Sequence, residues 1–321
     1  MAKVVRTTFL FDDQLLRLSS AGHEISPAFV EGHISRDELL RQLPDAEALI
    51  CLLTDVIDGP LLDRAPRLRV VANVAVGYEN IDLRAARARG IMVTNTPDVL
   101  TEATADLTLA LLLATARRVV EGDGAVRAGA FPAWGLCQPL LGTDVHRCTL
   151  GIVGLGRIGT AVARRAALGF GMTVLYAGRM RNTLAEDDLG VEFAPLDRLL
   201  RESDIVTLHV PLTEETRHMI DRDALRTMKP TALLINVARG AIVDEAALVD
   251  ALQKGDIAGA GIDVFEREPK VHEGLRALHE RVVLTPHLGS ATEATRRAMA
   301  RLAVDNVLAV LSGDPPPSPV G

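Results

Sequence analysis

Short apolar runs alternate with helix-type patterns along almost the whole chain, and this alternation limits the possible folds more than any other feature. In the first hundred residues the runs VVRTTFL, ALICLL, LRVVANV and IMVTN have the β-branched, apolar character of strands. Between them SRDELLRQL and NIDLRAARARG space their apolar residues as helices do. Strand and helix in turn imply a parallel sheet with crossover helices. From Cys148 the rhythm restarts, with TLGIVG, MTVLYA, IVTLHV, TALLIN, IAGAGIDV and VVLTPH as strands and DRLLRESD and EAALVDALQKG as helices. A chain of 321 residues is long for one core, so two α/β domains are expected. The aromatic share of 3 % leaves those cores to Leu, Val, Ala and Ile, which suits covered parallel sheets and disfavours all-β architectures.

Two long helices link the halves. ATADLTLALLLATARR, from about Thr101 to Arg118, is apolar around most of its circumference and is expected to lie buried between the domains. The other, about Thr292 to Leu311, follows the last strand, precedes the Pro-rich tail DPPPSPVG, and is placed to return to the first domain. The expected division is therefore residues 1–99 and a return segment 287–321 in one discontinuous domain, residues 100–286 in the other, and a cleft between them. Closure about linkers near Pro97 and Gly289 would exclude water from that cleft.

A net charge of −7 with scattered basic residues lacks the footprint of a nucleic-acid binder. Cys51, Cys137 and Cys148 form no CxxC pair, which argues against a disulfide framework or a metal site and fits a reducing cytoplasm. No apolar stretch reaches the roughly 18 residues of a membrane span, and the N-terminus does not resemble an export signal.

TLGIVGLGRIG places Gly154-x-Gly156-x-x-Gly159 after a strand and at the start of a helix, the context in which this glycine pattern binds a dinucleotide. Gly154 permits the turn, Gly156 lets backbone approach the pyrophosphate, and Gly159 lets helix pack on strand, while the N–H groups of Leu155, Arg157 and Ile158 face the phosphates. The next strand, MTVLYA, leads into Gly178-Arg179-Met180-Arg181, where an NAD site would carry an acidic residue for the ribose 2′-hydroxyl. Without that acid, Arg179 and Arg181 could hold a 2′-phosphate, so NADP(H) is favoured over NAD(H). The alternative is that both arginines merely solvate a loop.

Three later segments carry chemistry: LLINVARGAIVDE with Arg239, GIDVFEREP with Glu268, and VVLTPHLGSAT with His287. Taken alone, Arg239 could be a strand-end surface charge, Glu268 a solvated loop carboxylate and His287 a structural histidine. In this order after the glycine pattern, however, the four motifs resemble the D-isomer-specific 2-hydroxyacid dehydrogenases over nearly the whole chain, and most closely the glyoxylate/hydroxypyruvate reductases. The resemblance implies Arg239, Glu268 and His287 as the active site. Ketone reduction independently needs such residues. A histidine near neutral pH can donate the proton, a carboxylate beside it fixes the ring and favours its charged form, and an arginine can grip a substrate carboxylate while stabilising charge on the adjacent oxygen.

Further positions follow from the resemblance. Val76 and Gly77, in NVAVGYENID, would offer backbone amides to the substrate carboxylate, with Leu53 as an apolar wall and Ser290 near the substrate. Val210, Pro211, Thr216, Val237, Ala238, Asp263 and Gly289 would meet the cofactor, Asp263 through the nicotinamide carboxamide. Trp134 resembles a tryptophan lent by a dimer partner, which implies a homodimer; it could equally be a helix-packing residue. The 19 positions from Glu268 to His287 are few for the family and imply a trimmed surface loop. The expected reaction is reduction of glyoxylate, hydroxypyruvate or 2-ketogluconate to the D-2-hydroxy acid. D-3-phosphoglycerate dehydrogenase is an alternative, although the chain has no extra regulatory domain. A nucleotide-sensing, corepressor-like binding protein is the non-enzymatic alternative.

Overall fold

The computed structural model describes residues 1–27, 34–131 and 133–320. The chain divides into two compact units, Met1–Leu100 with Thr292–Gly321, and Thr101–Ala291. The first boundary falls one residue from the sequence expectation. The second does not: the return segment begins at Thr292 rather than at 287. The reason is local, since the N–H groups of Leu288 and Gly289 donate to the Asp263 carboxylate and hold that stretch to the second unit.

In the first unit the strands β1 (Lys3–Arg6), β2 (Glu24–Ile25), β3 (Ala46–Cys51), β4 (Val70–Asn73) and β5 (Met92–Thr94) form a five-stranded parallel sheet in the order β2-β1-β3-β4-β5. This is the flavodoxin-like order. Val5, Leu49 and Val71 are fully buried in its core, as strands covered on both faces require. The return helix Glu293–Ser312 packs on β3 and β4. It starts where the Thr292 hydroxyl accepts from Thr295 N and stops at Gly313, whose φ of +88° favours glycine. The tail after it lies against β5: Val320 N donates to Val93 O at 2.8 Å, and Pro319 pairs antiparallel with Thr94.

In the second unit β6 (Thr149–Val153), β7 (Thr173–Ala177), β8 (Glu192–Phe193), β9 (Ile205–Leu208), β10 (Leu233–Asn236), β11 (Gly259–Ile262) and β12 (Val282–Leu284) form a seven-stranded parallel sheet. Its order is β12-β11-β10-β9-β6-β7-β8, the dinucleotide-binding order with one more strand, and it reverses between β6 and β9. The helix Thr101–Ala116 packs on β10 and β11, and its buried Leu109, Leu111 and Leu112 account for its apolar character. Gly261 makes room for it: a β-carbon there would come within 2.7 Å of Leu111 Cγ. The helix expected between the domains is thus explained by packing on its own sheet.

Candidate active site

The carboxyl ends of β6, β7, β9, β10, β11 and β12 all open on one edge of the second sheet, because every strand in it is parallel. Ligands bind at this edge of open α/β sheets, near the reversal of strand order. Apart from Trp134, which precedes β6, the sequence-chosen residues of this unit follow these strands: Gly154–Gly159 after β6, Gly178–Arg181 after β7, Val210, Pro211 and Thr216 after β9, Val237–Arg239 after β10, Asp263 and Glu268 after β11, and His287–Ser290 after β12.

The glycine loop has the geometry its spacing predicts. Gly154 takes a φ of +99°, and a β-carbon on it would lie 2.8 Å from both the His209 carbonyl and Val210 Cγ1. A β-carbon on Gly159 would lie 2.1 Å from the Gly154 oxygen, so only glycine lets the helix Arg157–Arg164 start this close to the strand. At Gly156, by contrast, no atom lies within 4 Å of a built β-carbon, and this residue begins the helix without a side-chain cap. The helix therefore presents uncapped N–H groups to open space, which fits a pyrophosphate.

β6 pairs with β7 in the register Val153↔Ala177, which sets the Gly178–Arg181 segment beside the glycine loop. The two arginines there differ. Arg181 is committed to Glu186, with Nε 3.1 Å from Oε1 and a second contact to Oε2, and Glu186 also accepts from the Tyr176 hydroxyl. Arg179 makes no hydrogen bond or ion pair among the described residues. Of the pair, Arg179 is the one not bound to a carboxylate, although its charge acts on Glu215.

His287 and Glu268 form a pair, with Nδ1 2.8 Å from Oε2 and both side chains about three-quarters buried. The other oxygen of Glu268 accepts from Phe265 N at 3.0 Å, so the carboxylate is fixed at both ends. Burial opposes its ionisation, but the hydrogen bond and charge of His287, the Phe265 N–H and the charge of Arg239 outweigh that and hold the carboxyl below the usual range. His287 has a φ of +56°, uncommon for a residue with a β-carbon, and its N–H is anchored on the Asp263 carbonyl at 2.8 Å. Such backbone strain is concentrated at functional sites.

Arg239 is half-buried, with Nη1 donating to the Ala238 carbonyl at 2.7 Å. Gly240 behind it explains how the Arg239 turn meets the Glu268 loop. A β-carbon on Gly240 would sit 1.9 Å from Phe265 C and 2.3 Å from Glu266 N, so the two backbones touch.

Asp263, expected near the nicotinamide, also has a structural part to play. Its side chain is fully buried, and its oxygens accept from Thr285 Oγ1 at 2.6 Å, Leu288 N at 2.7 Å and Gly289 N at 2.9 Å. It ties the His287 turn to the end of β11. A second tie is made by Glu266, which is not among the residues the sequence singled out. Its Oε1 accepts from Glu245 N at 3.0 Å and lies 3.2 Å from His218 Nε2, while Glu245 Oε1 accepts from Glu266 N at 2.8 Å. The available signal was DE before the apolar AALVDAL, a helix start whose acid is oriented towards nearby N–H groups.

Leu53, Val76 and Gly77 belong to the first unit. Leu53 is half-buried in the turn after β3, where Leu52 N donates to Asp55 Oδ2 at 2.7 Å. Val76 and Gly77 are half-buried after β4, and their N–H groups donate to nothing among the described residues. Ser290 is half-buried in the turn closed by Ala291 N on the Leu288 carbonyl. Trp134 stands 82 % exposed, so it packs on no helix of its own chain.

The sequence profile of the D-isomer specific 2-hydroxyacid dehydrogenase NAD binding domain matches residues 109–289, more than half of the chain. The chain belongs to the D-isomer-specific 2-hydroxyacid dehydrogenases. A glyoxylate reductase of Thermococcus onnurineus is 55 % identical over 291 residues, spanning 90 % of this chain and 86 % of the relative. Among solved structures, a protein of Thermus thermophilus superposes with a TM-score of 0.92 at 49 % identity, covering 99 % of this chain and all of its own. An NADPH-dependent glyoxylate/hydroxypyruvate reductase of Sinorhizobium meliloti, solved with NADP and malonate, gives a TM-score of 0.85 at 37 % identity. It covers 100 % of this chain and 97 % of its own. This dehydrogenase is thus glyoxylate reductase-like in sequence, and its second unit is the nicotinamide-dinucleotide domain. Among the described residues no helix is long and apolar enough to cross a membrane.

Proposed function

We propose that this dehydrogenase reduces glyoxylate, and after it hydroxypyruvate and 2-ketogluconate, to the D-2-hydroxy acid, with NADPH as the preferred cofactor. The observation that carries the reading is the His287–Glu268 pair on the same sheet edge as the glycine loop, within the electrostatic reach of Arg239. When bound, the reduced nicotinamide supplies a hydride to the keto carbon. His287 gives a proton to the carbonyl oxygen as charge develops there, and Glu268 holds the ring in orientation and offsets its charge. In the oxidative direction the same pair takes the proton back. Arg239 grips the substrate carboxylate and stabilises the developing alkoxide, and the N–H groups of Val76 and Gly77 are further donors to that carboxylate.

The NADPH preference is supported by the guanidinium of Arg179, which has no hydrogen-bond or ion-pair partner among the described residues and acts on Glu215 only through its charge, and by the lack of an acidic residue from Gly178 to Arg181. We assign the protein to the cytoplasm on its three unpaired cysteines. We also infer a homodimer, formed where Val120, Phe131, Trp134 and Leu136 leave apolar surface exposed. Sedimentation at about 100 kDa or more, or as a 34.4 kDa monomer, would overturn that assembly. D-3-phosphoglycerate dehydrogenation is the alternative activity and corepressor-like nucleotide sensing the non-enzymatic one.

The test is NADPH oxidation against a panel of small 2-keto acids, for wild type and His287→Ala. Glyoxylate should turn over, and the variant should lose about 10²-fold or more in kcat while keeping NADPH affinity. Tight NADPH binding with no turnover of any keto acid would exclude the enzymatic reading, and near-normal turnover by the variant would exclude His287 as the acid.

A further inference from the structure

Three successive carbonyls in the loop after β4 are held from outside it. That of Ala75 accepts from Thr96 N at 2.8 Å, that of Val76 from Asn95 Nδ2 at 2.8 Å, and that of Gly77 from Asn73 Nδ2 at 2.8 Å. A peptide group is planar and trans, so its N–H points opposite to its carbonyl. Fixing these oxygens therefore fixes the direction of the N–H groups of Val76, Gly77 and Tyr78, none of which donates to a described residue. The donor aimed by Asn95 is that of Gly77.

Asn95 is held in turn by residues far along the chain. Its carbonyl accepts from Ser318 Oγ at 2.7 Å and from Asn306 Nδ2 at 3.4 Å, and its N–H donates to the Ser318 carbonyl at 3.3 Å. Asn306 and Ser318 close the cluster: Asn306 Nδ2 donates to Ser318 Oγ at 2.8 Å, and Ser318 N donates to Asn306 Oδ1 at 3.0 Å. All three residues are buried. A buried polar cluster this completely satisfied is rigid, and truncating one member leaves others without partners.

We propose that Asn95, Asn306 and Ser318 are positioning residues for recognition of the substrate carboxylate. The Pro-rich tail is then a strap: it seats Ser318 beneath Asn95, Asn95 holds the Val76 carbonyl, and the Gly77 N–H is thereby presented to the anion. This inference rests on the reading of Val76 and Gly77 as carboxylate donors. It adds that the affinity of the loop is set by a segment more than 200 residues away in sequence.

Steady-state kinetics with glyoxylate and NADPH on Ser318→Ala, Ser318→Thr and Asn95→Ala test it, together with hydrogen exchange at the Gly77 amide. Ser318→Ala should raise KM for glyoxylate about tenfold, with kcat and KM for NADPH within about twofold, and should speed Gly77 exchange about tenfold. Ser318→Thr keeps the hydroxyl and should restore both. Unchanged glyoxylate KM in both alanine variants would overturn the proposal, and so would parallel losses in glyoxylate KM, NADPH KM and kcat. Should wild type turn over no keto acid, the proposed function fails separately. Gly77 exchange then still decides, and an unchanged rate in Ser318→Ala refutes the strap.

Discussion

Gly240→Ala is a one-carbon change that should separate positioning from chemistry in this site. The new β-carbon would lie 1.9 Å from Phe265 C and 2.2 Å from its oxygen, where ordinary contact begins at 3.4 Å, so the backbones must part by about 1.5 Å. Both sides are main chain, and Phe265, Ala241 and Ile242 are buried, so no flexible side chain can yield instead. The separation moves Arg239, one residue before, relative to Glu268, whose oxygen is fixed by Phe265 N. A misplacement of about 1 Å costs roughly 10²-fold in rate, and overpacking costs about 1–3 kcal/mol of stability. Glyoxylate kcat/KM should thus fall about a hundredfold and the urea midpoint should drop, while NADPH affinity changes little. Gly156→Ala is the control, because a β-carbon there meets nothing and φ is an unstrained −80°. It should keep full stability and lose cofactor affinity. If Gly240→Ala retained kcat/KM within about threefold of wild type, the contact between the two loops would not be what positions Arg239.

Two further outcomes follow from the charges at the site. Arg179→Ala should raise KM for NADPH at least about tenfold, the equivalent of one charge-assisted hydrogen bond, and leave KM for NADH unchanged. Arg181→Ala should do less, since Glu186 already holds that guanidinium; equal rises for both cofactors would refute a 2′-phosphate contact. Glu268→Gln concerns pH. Because its folded carboxyl lies below the usual range, ionised Glu268 stabilises the fold above the unfolded value near about 4.3, and that contribution vanishes as pH falls through the lowered folded value. The variant should be less stable than wild type at about pH 6, and urea midpoints should converge below about pH 4; a gap independent of pH would contradict the assignment.

The parts of this enzyme that were legible in its sequence are those where one strand, one turn and one side chain suffice. Strands of unbroken apolar residues implied both parallel sheets, and a parallel sheet delivers every strand's end to one edge. Gly154, Arg239, Glu268 and His287 could therefore be placed along that edge by counting residues past each strand. What was not legible depends on pairings across the chain. Arg181 reads as a free cation until Glu186, on the next helix, is seen to claim it. The sequence does not show that Asp263 accepts from the turn after β12, which holds residues 288 and 289 to the second unit, so that the return segment begins at Thr292. Ser318 lies in the Pro-rich tail, and nothing in the sequence links it to the Asn95 carbonyl it supports, 223 positions away. These residues share a physical character. Each is a polar group whose partner is supplied by tertiary folding, and hydrophobic periodicity carries no information about such partners. The sequence thus revealed the residues of the candidate site more readily than the hydrogen bonds that hold the backbone around them, such as those at Asp263, Glu266 and Asn95.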